Sequence, residues 1–202
     1  MSAAQSIYQR RYTVEEYFTL EEQTGIRHEF FQGEVFPLDG PEGMAGGTKQ
    51  HNRLIQNCTF GLRAGIGERG CEIYTENVRL ALAAGEHYNY PDVVVSCDPQ
   101  DDDPRTVHSP VVIMEVLSRS TEARDRGWKF EQCQLIPSLQ QYVLVSQYRV
   151  LVDSFVRTDH GTWELTSLRK LTDVLLLPTL QSQLPLAEIY RGINIPPLRL
   201  AD

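Results

Sequence analysis

Asp92, Glu115 and Lys129 are the residues of this sequence whose types and surroundings could support chemistry. In Pro91-Asp92-Val93-Val94-Val95 a carboxylate opens an apolar strand, where it can face a cleft or an open sheet edge. Glu115 is the one charged residue in Val111-Val112-Ile113-Met114-Glu115-Val116-Leu117, a run of the kind buried on both faces of a sheet. An unpaired carboxylate buried there costs several kcal/mol, so Glu115 requires a cation, either metal or protein. If the two strands are neighbours, both carboxylates can converge on one Mg²⁺, with Mn²⁺ as a substitute. Mg²⁺ takes one or two carboxylates together with phosphate oxygens and water. The helix after the second strand can return Lys129 to the same cleft, as a cation that orients attacking water and stabilises phosphate charge.

Plainer readings stand beside these. Asp92 can cap a turn, Glu115 can pair with a neighbouring arginine, and Lys129 can form a surface pair with Asp125 four residues earlier. Glu29, Glu34 and His51 are supporting candidates: either glutamate can add a ligand, and the imidazole can contact phosphate or water. His51 can equally help to cap its helix. Ser118 has no G-x-S-x-G elbow around it, which leaves a serine hydrolase poorly supported.

The elements that must position these residues follow from pattern. Thr13 and Glu16 have capping-box spacing, and Val14, Tyr17, Phe18 and Leu20 continue a helix over residues 12–22. Residues 28–36 read as a short hairpin about Gln32-Gly33. A glycine-rich loop at 39–47 leads to Thr48, the cap of a helix whose Leu54, Ile55, Cys58 and Leu62 form one stripe. Residues 71–83 and 88–96 read as a strand and its return across an Ala84-Gly85-Glu86 turn. The acidic loop at 98–104 is an ordinary solvated connection. Ser120 and Thr121 can cap a helix from Glu122 to about Cys133, which Pro137 stops. Strands at 142–145, 150–156 and 162–165 extend the sheet in antiparallel fashion. The leucine-rich stretch 175–190, broken by Pro178 and Pro185, reads as irregular structure with a short helix near its end.

Composition bounds the rest. A chain of 202 residues with 41% hydrophobic and 23% charged residues can bury a full core, and is expected to form a single domain over 1–202 with its core at about 12–190. Neither a signal-peptide core nor a membrane-spanning run is present, and Cys58, Cys71, Cys97 and Cys133 contain no C-x-x-C pair. Reduced thiols in a soluble cytoplasmic protein are the expectation. A net charge of -8 opposes broad attraction to nucleic acid, so any DNA binding must be local or assisted.

The order Gly33-Glu34-Val35, His51 at a helix start, Tyr90-Pro91-Asp92-Val93-Val94-Val95, then Ile113 to Thr121 followed by Asp125 to Phe130, resembles the Uma-two endonuclease family from about Tyr12 to Tyr190. That family is similar to the PD-(D/E)XK nuclease superfamily. The resemblance implies an α/β restriction-endonuclease-like core, a mixed sheet flanked by helices, to which this chain adds antiparallel strands. The superfamily places its lysine two residues after the second acid, where this chain has Leu117. The resemblance therefore makes Lys129, on the following helix, the replacement, with Asp92 and Glu115 carried over directly. It implies a Mg²⁺-dependent endonuclease acting on DNA, with a homodimer as the expected assembly. The alternative is a catalytically weak nucleic-acid- or protein-binding module that retains the fold.

Overall fold

The computed structural model describes residues 10–38, 48–82, 85–119 and 121–195. The glycine-rich loop at 39–47, Ala84 of the expected turn and the Ser120 cap lie outside the described residues. Helix α1 (Val14–Thr24) opens with the anticipated capping box: the Thr13 side chain accepts from Glu16 N, while the Glu16 carboxylate accepts from Thr13 N. Strands β1 (His28–Phe31) and β2 (Glu34–Pro37) meet at Gln32 and Gly33, with φ of 47° and 87°. Both torsions are positive, as a tight two-residue hairpin of this hand requires. Helix α2 (Lys49–Ile66) is capped by Thr48, which accepts from His51 N, and buries the stripe of Leu54, Ile55, Cys58 and Leu62.

Each of the two strands expected between residues 71 and 96 is divided. They become β3 (Glu72–Thr75), β4 (Arg79–Leu82), β5 (His87–Asn89) and β6 (Val93–Ser96). β4 and β5 join β1, β2 and β7 (Thr106–Val107) in a sheet of order β2-β1-β5-β4-β7. β3 and β6 join β8 (Pro110–Leu117), β9 (Gln141–Ser146), β10 (Val152–Arg157) and β11 (Trp163–Leu168) in a second sheet, β11-β10-β9-β8-β6-β3. The chain thus leaves the second sheet after β3 and returns to it at Val93, and the periodicity of apolar residues does not register such a change of sheet.

β8 and β9 are parallel, and the crossover between them carries two short helices, α3 (Glu122–Arg126) and α4 (Trp128–Cys133). The single helix expected there is interrupted at Gly127, whose backbone leaves helical torsions at φ -107° and ψ -106°. The leucine-rich end is more regular than expected: β12 (Val174–Leu177) and β13 (Ser182–Pro185) pair about a 3₁₀ turn at Pro178–Leu180, ahead of α5 (Leu186–Ile189). Its prolines fall at the start of the turn and the end of a strand, where a missing amide does no harm.

The six-stranded sheet is covered on both faces. Val112, Met114 and Val116 of β8 pack with the α2 stripe and the β12–β13 hairpin. Ile113 and Leu117 pack on the other side with Phe130 and Cys133 of α4 and Leu80 and Leu82 of β4. Glu115 shares the parity of this second face. The mixed α/β architecture, with mixed sheets flanked by helices, is therefore as the sequence implied.

The expectation of four free thiols is corrected. Cys71 and Cys97 flank β3 and β6, whose antiparallel register pairs Glu72 with Ser96, and the next residues out form a disulfide. Cys58 and Cys133 remain free and buried. No helix among the described residues is long and apolar enough to cross a membrane.

Candidate active site

The register of β6 on β8 decides where the two acids lie. Val93 is opposite Met114 and Val94 opposite Ile113, so one further step sets Asp92 against Glu115. Opposed residues of antiparallel strands project to the same face. Asp92 Oδ2 accepts from Val116 N at 2.6 Å, Asp92 N lies 3.4 Å from Glu115 Oε2, and His51 Nε2 lies 3.2 Å from Asp92 Oδ1. Asp92 is thus held by the neighbouring strand and by the first turn of α2. Burial acts to lower the His51 imidazole, but the Asp92 carboxylate, joined by Glu76 and Asp125, raises it on balance.

Lys129 belongs to the same place. Its Nζ is 2.7 Å from Glu115 Oε1, and both side chains are 4% exposed. The pairing with Asp125 considered for this lysine is present, but it is buried rather than at the surface, and it is longer than the contact with Glu115. Asp125 is itself buried, and its Oδ1 stands 3.9 Å from Nζ. Burial pushes the Glu115 carboxyl up to about 8 against the opposing Lys129 ammonium, and Asp92 and Asp125 add to the rise. Burial alone would lower Lys129, but Glu115, Asp125 and Glu29 together hold it above its ordinary value. The protein cation that a buried Glu115 needs is therefore present, and it is a lysine rather than an arginine.

These groups line a cavity of about 550 Å³ that includes Glu29, His51, Asp92, Glu115, Asp125 and Lys129. Glu29 is buried on β1 and bonds Arg124 at 2.8 Å, bridging the five-stranded sheet to α3. Glu34 is not brought in: it is exposed on β2, pairs with Arg11, and is absent from the cavity wall. As a supporting candidate it is corrected: it shares the hairpin face of Glu29 but sits beside the turn on the edge strand β2, where it meets Arg11 and solvent. The carboxylate that sequence reasoning passed over is Asp125, legible only in its four-residue spacing from Lys129. Arg119, Arg124, Gln147 and Tyr148 also line the wall. Arg119 lies over the Tyr148 ring, 5.5 Å from its centroid, and nothing in the sequence pattern marks that pair. Among the described residues no group of three or more His, Cys, Asp or Glu side chains is arranged to hold a metal ion.

Comparison with known proteins gives this arrangement a family. The model of the Uma2 family, described as "Putative restriction endonuclease", matches residues 14–187. The chain is 33% identical over 180 residues to the uncharacterized protein slr1290 of Synechocystis sp. (strain ATCC 27184 / PCC 6803 / Kazusa), which covers 89% of this chain and 91% of that protein. It is 38% identical over 159 residues to sll1609 of the same organism, covering 77% of this chain and 86% of the relative. A crystal structure described as a "putative nuclease belonging to DUF820" from Anabaena variabilis ATCC 29413 superposes with a TM-score of 0.69, covering 89% of this chain and 97% of the other. At 15% identity that likeness concerns the fold alone. With the family model spanning most of its length, and two relatives above 30% identity, the chain belongs to the Uma2 family.

Proposed function

We propose that this protein is a Mg²⁺-dependent endonuclease that hydrolyses phosphodiester bonds in DNA. The observation that carries the reading is the convergence of Asp92 and Glu115, opposed on neighbouring strands, on one cavity that also takes the buried Lys129. The donor set fits Mg²⁺, which keeps several waters and uses one or two carboxylates with phosphate oxygens. Asp92 and Glu115 would hold the ion. When bound, Mg²⁺ supplies a Lewis acid for the phosphodiester and lowers the pKa of water.

The remaining roles belong to the protein's own groups. Lys129, surrounded by carboxylates that keep it protonated, has no free electron pair with which to take a proton from water. Its role is that of a fixed positive charge against the negative charge that develops on phosphate. His51 fixes the Asp92 carboxylate from the far side. Arg27, Arg119 and Arg124 line the cavity among its carboxylates, giving local basic groups for phosphate in a chain whose overall charge is -8. A cytoplasmic homodimer, with one site for each strand of a duplex, is the assembly that goes with this reading, and sedimentation measures it.

The test is cleavage of supercoiled, linear and single-stranded DNA in Mg²⁺, Mn²⁺ or EDTA, by the wild-type protein and by Asp92→Ala and Glu115→Ala. Metal-dependent cleavage that falls about 100-fold or more in both variants is expected. Cleavage untouched by both substitutions removes the site. DNA retained without cleavage, equally in Mg²⁺ and EDTA, replaces the enzyme with a binding module.

A further inference from the structure

Asp125 is a buried carboxylate without a hydrogen-bond donor at Oδ1, although it lines the cavity and is only 3% exposed. Two cations stand at ion-pair distance from that oxygen but beyond hydrogen-bond reach, Lys129 Nζ at 3.9 Å and Arg124 Nε at 4.0 Å. The backbone around it is fixed, because Tyr142 OH donates to the Asp125 carbonyl at 3.1 Å from β9 beneath. A charge held this way in a low-dielectric interior is unfavourable unless a partner reaches it in some state of the molecule.

The partner is identified by the competition at Glu115. Lys129 now occupies Oε1 at 2.7 Å, and a divalent cation drawn to the same carboxylate would face the ammonium at close range. Lys129 is as buried as Glu115, so on displacement its ammonium needs another anion within reach. A shift of about 1 Å would bring Nζ to ordinary contact with Asp125 Oδ1. The interruption at Gly127 separates the short helices that carry the two residues, so the pair is not locked in one continuous helix.

We propose that Asp125 is a positioning residue, the second anion to which Lys129 passes when a divalent cation takes its place at Glu115. The inference rests on the metal reading of the same cavity. Asp125 keeps the lysine inside the site in both states, so that metal and ammonium act there together rather than in exchange.

Lys49, Lys129 and Lys170 are the only lysines, so the full chain labelled with ¹⁵N-lysine gives few side-chain signals, and Lys129→Arg assigns the relevant one. Mg²⁺ is titrated while calorimetry records its binding. In the wild type the Lys129 Nζ signal is expected to move with metal occupancy and to stay protected from solvent exchange. In Asp125→Asn the same metal is expected to bind about 10-fold more weakly, with the Nζ signal lost to exchange, and Asp125→Glu should recover part of both. Metal binding with an unmoved Lys129 signal in the wild type overturns the proposal, whether or not the variants fold, and leaves the metal reading in place. An identical Lys129 response in wild type and Asp125→Asn also overturns it. Failure of the wild type to bind Mg²⁺ at all overturns the metal reading, and the proposal with it.

Discussion

Lys129 Nζ meets Glu115 Oε1 at 2.7 Å across the gap between α4 and β8, and neither side chain has appreciable access to water. Removing one partner of a buried ion pair leaves an uncompensated charge, which is more damaging than losing both. Lys129→Met should therefore lower stability by about 3–5 kcal/mol, and the double variant Lys129→Met/Glu115→Gln by less than the sum of the two single losses. Denaturant unfolding of all four proteins measures the coupling. Strictly additive losses would show that the contact contributes nothing to the fold.

His87 gives the protein an acid-sensitive core. Its ring lies between Phe31 and Trp128 at centroid distances of 5.3 and 4.9 Å, fully buried, with no hydrogen-bond partner at either nitrogen. Burial, assisted by Lys129 and Arg124, lowers its pKa from 6.5 to about 4. As pH falls below 6.5 the unfolded chain takes up a proton that the native state refuses until about 4. The stabilisation is complete above that window and is lost on acidification through it, with a limiting slope of about 1.4 kcal/mol per pH unit. His87→Phe should narrow the difference in unfolding free energy between pH 7 and pH 5. An equal difference in wild type and variant would assign the acid sensitivity to other groups, such as His28, which burial also lowers.

His51 links the first turn of α2 to Asp92, and groups that orient a metal-holding carboxylate commonly contribute 10- to 100-fold to affinity. His51→Ala should weaken Mn²⁺ binding by about that factor, and His51→Gln, which keeps a donor, should retain part of it. Calorimetric titration measures both. Unchanged affinity in His51→Ala would mean that the Val116 amide alone suffices to hold Asp92.

These residues also mark how far the sequence could be read. Glu115 was legible because a charge in an apolar strand has an energetic cost that must be met, and the need for a cation follows without a structure. The capping box at Thr13 and the Gln32-Gly33 turn were legible because their rules are local. The division of residues 71–96 between two sheets was not, since alternation of apolar residues looks the same whichever sheet a strand joins. Glu34 could not be separated from Glu29 either, because the hairpin register sets both on one face, and only the place of β2 at the edge of its sheet, known from the structure, keeps Glu34 out of the cleft. Asp125 was visible only as a helical neighbour of Lys129. Its burial depends on Tyr142 of β9 and on the break at Gly127, relationships that sequence spacing does not encode.

The cysteines extend that limit into a test. Cys71 and Cys97 lie 26 residues apart in sequence and became partners only through the β3–β6 register. Cys58 and Cys133 are free but fully buried, so a thiol reagent should find almost nothing in the native protein, two thiols in denaturant, and four after reduction. Closing a loop of this length restricts the unfolded chain by about 3.5 kcal/mol in the chain-entropy account, so Cys71→Ser should lower the unfolding midpoint under oxidising conditions and change little under reducing ones. The bridge also bears on where the protein works, because a reducing cytoplasm keeps such thiols apart. Alkylation inside intact cells, followed by mass analysis, distinguishes the cases. Modification of Cys71 and Cys97 there would place the molecule in a reducing compartment with the β3–β6 pair unbridged, whereas their protection would argue against the cytoplasm.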